Sequence, residues 1–222
     1  MADGVGAARP GGRTARTRAA VAVALQEELL EVGYGGTTMD RIARRAGVAK
    51  TTVYRRWGSV GQLVVELFAE AAGVQIPVPD TGSLEGDLRA LARSAVAVLT
   101  DPRSRAIFDV VVREAVHDPA ARGALTTFFA GRVANAEPIV ARAVERGEVP
   151  ADTDAAEVIR QLGAPYYARL YITGDPIGTA DADRAAAVTA LAARAGLLAR
   201  QPAAVANASG RLLEQVDDQV TR

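Results

Sequence analysis

The 222 residues carry 26 basic against 26 acidic side chains and are 49% hydrophobic, enough apolar material for a sizeable core with no net charge resisting compaction. Without cysteine, disulfides, thiolate metal sites and cysteine nucleophiles are excluded, and a reducing, cytoplasmic location is expected. Aromatics make up 5%, and alanine, which loses no rotamer freedom in a helix, dominates the apolar set, so the expected fold class is all-α.

Residues 1–13 have no apolar period and read as a disordered lead. Arg9, Arg13, Arg16 and Arg18 followed by the apolar run Ala19 to Leu25 superficially resemble a secretory leader, but the run continues with helical spacing into Gln26-Glu27-Glu28 and shows no clear cleavage signal. No apolar stretch approaches membrane-spanning length, so no membrane partner is expected. The first helix is predicted from Thr14 to Val32, with Val21, Leu25, Leu29 and Val32 inward and Arg18, Glu27, Glu28 and Glu31 toward water. Gly33-Tyr34-Gly35-Gly36 stops it.

Thr37-Thr38-Met39-Asp40 restarts helix through a threonine cap followed by an acid, and Met39, Ile42, Ala43 and Ala46 form one stripe. After Gly47, a third short helix is predicted over Ala49 to Trp57, and Ser59 caps a fourth with Leu63, Val64, Leu67 and Phe68 inward. Gly, Pro and Asp between Gly73 and Ser83 mark a junction. Five further helices follow: Leu84 to Leu99, Arg103 to Val116, Pro119 to Arg146 with a kink at Pro138, Asp154 to Thr173, and Thr179 to Ala199. Residues 201–222 read as a frayed or disordered tail. About nine helices in all are predicted, as a head over 14–73 and a bundle-like body over 84–199.

Two helices this short, joined at Gly47, cannot bury their own apolar face, so the first helix must cover them and leave the outer face of the third free. That face carries Lys50, Thr51, Thr52, Arg55 and Arg56, while Val48, Val53 and Trp57 point inward. Short polar and cationic side chains at the start of an exposed helix suit the major groove, where base edges and flanking phosphates are reached together. Thr37 and Thr38 sit at another helix start suited to a phosphate, and Arg16 and Arg18 supply cations from the first helix. Tyr54 is expected to lay its ring on the core and its hydroxyl on the backbone. Residues 1–60 hold ten Arg or Lys against five Asp or Glu, the asymmetry of a chain whose first quarter meets a polyanion.

The string Thr38-Met39-Asp40-Arg41-Ile42-Ala43-Arg44-Arg45-Ala46-Gly47-Val48-Ala49-Lys50-Thr51-Thr52-Val53-Tyr54-Arg55-Arg56-Trp57, with Leu63 following, closely resembles the helix-turn-helix of TetR-family regulators. That resemblance covers roughly residues 14–70. It implies an all-helical homodimer whose last two long helices form the interface, a ligand pocket in each body, and repression of an inverted-repeat operator in double-stranded DNA relieved by a small-molecule effector. Two positions depart from the family pattern: Ala49 stands where a capping serine or threonine is common, and Val60 where a lysine often begins the fourth helix. Glu145-Arg146-Gly147-Glu148-Val149, Asp152 and Tyr166-Tyr167 loosely resemble one of the family's C-terminal types.

The bland readings stand beside these. The cations of the third helix also fit a solvated face on a structural unit, and His117, the only histidine, suits a helix end as well as it suits an effector pocket. Phe108, Phe128, Phe129, Tyr166 and Tyr167 are pocket candidates with His117, although aromatics at helical spacing are mostly core. Asp152 and Asp154 read as a turn and a cap. No arrangement suggests catalysis, a phosphate-cradling loop, a metal site or a cofactor. The competing function is a helical small-molecule-binding or enzymatic dimer that does not read DNA, for which Val60 is the motive.

Overall fold

The computed structural model describes residues 11–72 and 78–200, so residues 1–10 of the expected lead and the whole expected tail lie outside the described residues. Nine α-helices and one π-helical turn make up the described residues: α1 Gly11–Gly36, α2 Met39–Arg45, α3 Lys50–Trp57, α4 Val60–Ala72, α5 Leu84–Thr100, α6 Pro102–Glu114, α7 Pro119–Glu145, α8 Ala155–Ala168, the π turn Arg169–Thr173, and α9 Thr179–Arg194. No strand occurs among them beyond the isolated bridge between Thr153 and Ala199.

α1 begins at Gly11, ahead of the expected Thr14, and bends at Gly33, whose φ of 67° and ψ of 175° only glycine adopts readily. Thr38 caps α2 by accepting from the Arg41 N–H at 3.3 Å, and Ser59 caps α4 by accepting from Gln62 N–H at 3.1 Å. α3 starts at Ala49 without a side-chain cap, as its sequence requires. Asp101 caps α6 from just before Pro102, and Asp154 caps α8.

α7 runs as one helix with Pro138 inside it, as expected. Two expectations change at the C-terminal end. α8 carries Pro165 inside it and passes into a wider turn at Arg169, where one continuous α-helix was predicted; Pro165 brings no N–H, so the ladder cannot run regularly through it. α9 ends at Arg194 rather than Ala199, because Gly196 turns the chain at φ 73° and Leu197 to Arg200 run back beside Asp152–Asp154.

The chain divides into two compact units: α1–α4 with residues 94–132, and residues 77–93 with residue 133 onward, so α5 and α7 each contribute to both. In the first, α6 packs on α1 and α4, α2 on α1 and α3, over a core of Val21, Leu25, Ile42, Val53, Leu63, Val64 and Val111, each fully buried. Tyr34 donates to Glu114 Oε1 at 3.0 Å and thereby ties the end of α1 to the end of α6. In the second unit α8 and α9 pack on each other, with alanines 182, 185, 186, 190 and 193 buried so that the backbones approach closely. Glu148 accepts from the Leu84 N–H at 2.9 Å and so caps α5 from 64 residues away, while Asp87, fully buried, accepts from the N–H and hydroxyl of Thr81.

Candidate nucleic-acid interface

α3 owes its orientation to two side chains. Val53 is fully buried and Trp57 is 3% exposed, one turn apart, so one stripe of an eight-residue helix is anchored and the opposite stripe faces solvent. Lys50, Thr51, Tyr54, Arg55 and Arg56 all lie on the exposed side, and Thr52 is half-buried at its edge. Gly47, at φ 65°, makes the turn that sets α3 against α2.

Beneath α3, α2 is clamped to α1 by a buried acid. Glu28 is 2% exposed and receives the Nε–H groups of both Arg41 and Arg45, the latter at 2.7 Å, while Arg45 also reaches Glu27 and Glu31. The sequence reading sent Glu28 to water; its partners lie 13 and 17 residues along on another helix, beyond the reach of local periodicity. Burial alone raises its pKa, but the hydrogen bonds from Arg41 and Arg45 more than reverse this and hold the carboxyl below its ordinary value. Val32, also expected inward, is 37% exposed.

The remaining candidates divide by environment. Arg16 is exposed, with no ion pair among the described residues, and so is Arg55. Thr38 is exposed, but Thr37 is turned inward, 7% exposed, with its hydroxyl donating at 2.7 Å to the Gly33 carbonyl, which also accepts from the Thr37 N–H at 3.1 Å where α1 bends. Lys50 is paired with Asp40, whose carboxyl it holds below the usual range, and Tyr54 is exposed at 48%. Arg18 pairs with Glu66 at 2.9 Å and with Glu70, and Arg56 pairs with Glu66 at 3.5 Å while its guanidinium lies 5.0 Å over the Trp57 ring.

Between α1 and α3 a cleft of about 420 Å³ is lined by Thr14, Thr17, Arg18, Thr52, Arg55, Arg56 and Trp57. Three guanidinium groups and three hydroxyls around one hollow suit an anion. The sequence reading missed Thr14, Thr17, Glu66 and Glu70 as parts of this site. The available signal was the pair of acids four residues apart on α4, a helix otherwise almost wholly apolar.

Of the six pocket candidates, four belong to the first unit and two to the second. Phe108, 5% exposed, meets Phe68 at 5.7 Å and Phe128 at 5.9 Å between ring centroids, and Phe129 meets Phe128 at 5.3 Å, all in the first unit. His117 is exposed on the turn after α6. Tyr166, in the second unit, is 1% exposed and its hydroxyl has no partner among the described residues; burial raises its pKa. Tyr167 is half-buried beside it in sequence. A separate groove, lined by Gln62, Val65, Glu66, Ala69, Asp118, Ala120, Ala124 and Thr127, includes none of the six. No helix among the described residues is long and apolar enough to cross a membrane.

Comparison with known proteins gives this geometry its context. Residues 22–67 match the family described as bacterial regulatory proteins, tetR family, and residues 78–189 match the tetracyclin repressor-like C-terminal domain. The HTH-type transcriptional regulator YdeS of Bacillus subtilis is 30% identical over 161 residues, covering 72% of this chain and 81% of the relative. The DNA-binding transcriptional repressor TetR of Mycobacteroides abscessus is 32% identical over 171 residues, covering 74% and 86%. Among solved structures, the TetR family transcription regulator SCO0332 superposes with a TM-score of 0.60 at 31% identity over 79% of this chain and 97% of that one. These relatives are regulators of transcription, not enzymes, and the chain belongs with them: it is a DNA-binding transcriptional regulator of the TetR family.

Proposed function

We propose that the protein is a cytoplasmic homodimeric repressor that inserts α3 of each subunit into the major groove of an inverted-repeat operator and is released by a small molecule. The observation that carries this reading is the division of α3, with Val53 and Trp57 buried while Lys50, Thr51, Tyr54, Arg55 and Arg56 are exposed. Arg16, Arg18 and Thr38 supply phosphate contacts on either side, and Thr52 lies at the margin. Thr37 supports the site from within. Repression is favoured by the Mycobacteroides abscessus relative, a DNA-binding transcriptional repressor. The DNA-binding domain is assigned to residues 14–73 and the effector-binding and dimerising domain to 84–199, after a lead over 1–13.

Dimerisation is supported by α9, which exposes Val188 at 48% and Leu191 at 67% while burying its alanines. A twofold axis there makes the contact self-complementary. Leu191→Glu should therefore give a folded monomer in sedimentation equilibrium and lose cooperative operator binding; an unchanged dimer removes α9 from the interface.

For the effector, Phe108, Phe128, Phe129, His117, Tyr166 and Tyr167 remain the candidate contacts. It must bind the DNA-incompetent conformation more tightly, because equal affinity for both shifts nothing. Fluorescence anisotropy with duplexes from upstream of the gene tests DNA reading directly. A palindromic fragment should be bound in preference, with log affinity falling against log salt by roughly 0.9 per phosphate neutralised. Equal binding to every fragment defeats the operator reading.

A further inference from the structure

The cleft between α1 and α3 contains more cationic groups than it presents. Of its three arginines, Arg18 and Arg56 are already matched by Glu66 and Glu70, which lie on one face of α4 one turn apart. Two positive and two negative charges cancel, so Arg55 is the cleft's unmatched cation among the described residues. Two donors are also left without acceptors: the buried Nε of Arg18 and the Nε1 of Trp57, itself 3% exposed. Buried donors normally find a partner, and three hydroxyls, from Thr14, Thr17 and Thr52, line the same hollow.

We propose that Glu66 and Glu70 set this regulator's affinity for DNA, holding Arg18 and Arg56 in the free protein as internal stand-ins for phosphate until a backbone phosphate enters the cleft and takes their place. The inference rests on the DNA-reading function above and adds a competition to it. Carboxylate and backbone phosphate are alternative partners for the same guanidinium, each offering two anionic oxygens to its fork, and DNA adds the release of its condensed counterions. The side chains of Glu66 and Glu70 are 37% and 47% exposed. Ion pairs at such exposure are weak and screened by salt, so the exchange is readily reversed. Each displaced carboxylate is left near DNA, where it opposes binding. Neutralising it removes both costs.

The test uses the full-length protein and a duplex of random sequence, which probes phosphate contacts without knowledge of the operator. Glu66→Gln should bind about three- to tenfold more tightly than wild type at low salt, with a log–log salt slope steeper by roughly 0.9, the increment for one more effective phosphate contact. Glu66→Asp, which keeps the charge, should stay near wild type. Thermal melting checks the fold of each variant, and Glu70→Gln carries the same expectation if Glu66→Gln melts early. Trp57 is the only tryptophan in the chain and lies under Arg56, so its emission should change when wild type binds the duplex. Equal or weaker binding by folded variants at an unchanged slope overturns the proposal, as does DNA binding that leaves Trp57 emission unmoved. If wild type prefers no upstream fragment while Glu66→Gln still tightens on random duplex, the operator reading falls and this one stands. If an upstream fragment is preferred and the variants show no gain, the reverse holds.

Discussion

Glu28→Gln lowers the free energy of unfolding by about 2–3 kcal/mol, below the 3–5 typical of a fully buried pair because both arginines are about a third exposed. The acid receives one guanidinium N–H from Arg41 and another from Arg45, and glutamine keeps the shape but loses the charge that holds both. Urea unfolding followed by circular dichroism measures the loss, and a change under about 0.5 kcal/mol would show the clamp to be ornamental. The pH dependence has a definite sign. Folding depresses the Glu28 pKa, so its contribution is present above the ordinary value of 4.5 and is lost as pH falls through the lower folded value. Wild type should therefore lose stability more steeply than the variant as the pH falls from about 4.5 through that lower value. α2 carries the Thr38 cap proposed to meet a phosphate and abuts α3, so loosening the clamp should weaken DNA binding as well.

Lys50→Ala and Arg55→Ala act on the other quantity. Each should weaken operator binding by about 1–3 kcal/mol, roughly five- to 150-fold, while leaving the melting temperature almost unchanged, because both side chains are exposed. Lys50, at the first turn of α3 and paired with Asp40, suits a phosphate, so its loss should weaken all sequences alike and flatten the salt slope by roughly 0.9. Arg55, with no carboxylate partner among the described residues, suits a base edge, and its loss should narrow the gap between operator and random duplex. Anisotropy on both duplexes separates the two effects. A fall in stability matching the fall in affinity would instead make these side chains structural.

What the sequence made legible was local. The division of α3 follows from Val53 and Trp57 being one helical turn apart, and the bend at Gly33 and the stops at Gly47 and Gly58 from positive φ angles that glycine alone accepts readily. The apolar stripe of α2 and the cap at Ser59 were equally readable. What stayed hidden was every role fixed by a distant partner. Glu28 reads as a surface acid until Arg41 and Arg45 arrive from α2; Glu148 reads as part of a turn until it caps α5; Thr37 reads as a phosphate ligand until the bend at Gly33 supplies a carbonyl for its hydroxyl. The early end of α9 was obscured by alanines and leucines, which favour helix on both sides of Gly196. Phe108, Phe128 and Phe129 were read as pocket candidates on composition, and pairwise ring packing, which also takes in Phe68, accounts for them equally well.

The bridge between Thr153 and Ala199 has a practical consequence. Asp154 N–H bonds the Leu198 carbonyl at 2.8 Å and Arg200 N–H bonds the Asp152 carbonyl at 2.9 Å, stitching the stretch after α9 to the start of α8. A fusion partner or surface anchor appended past Arg200 pulls on this stitch before it can fray α9.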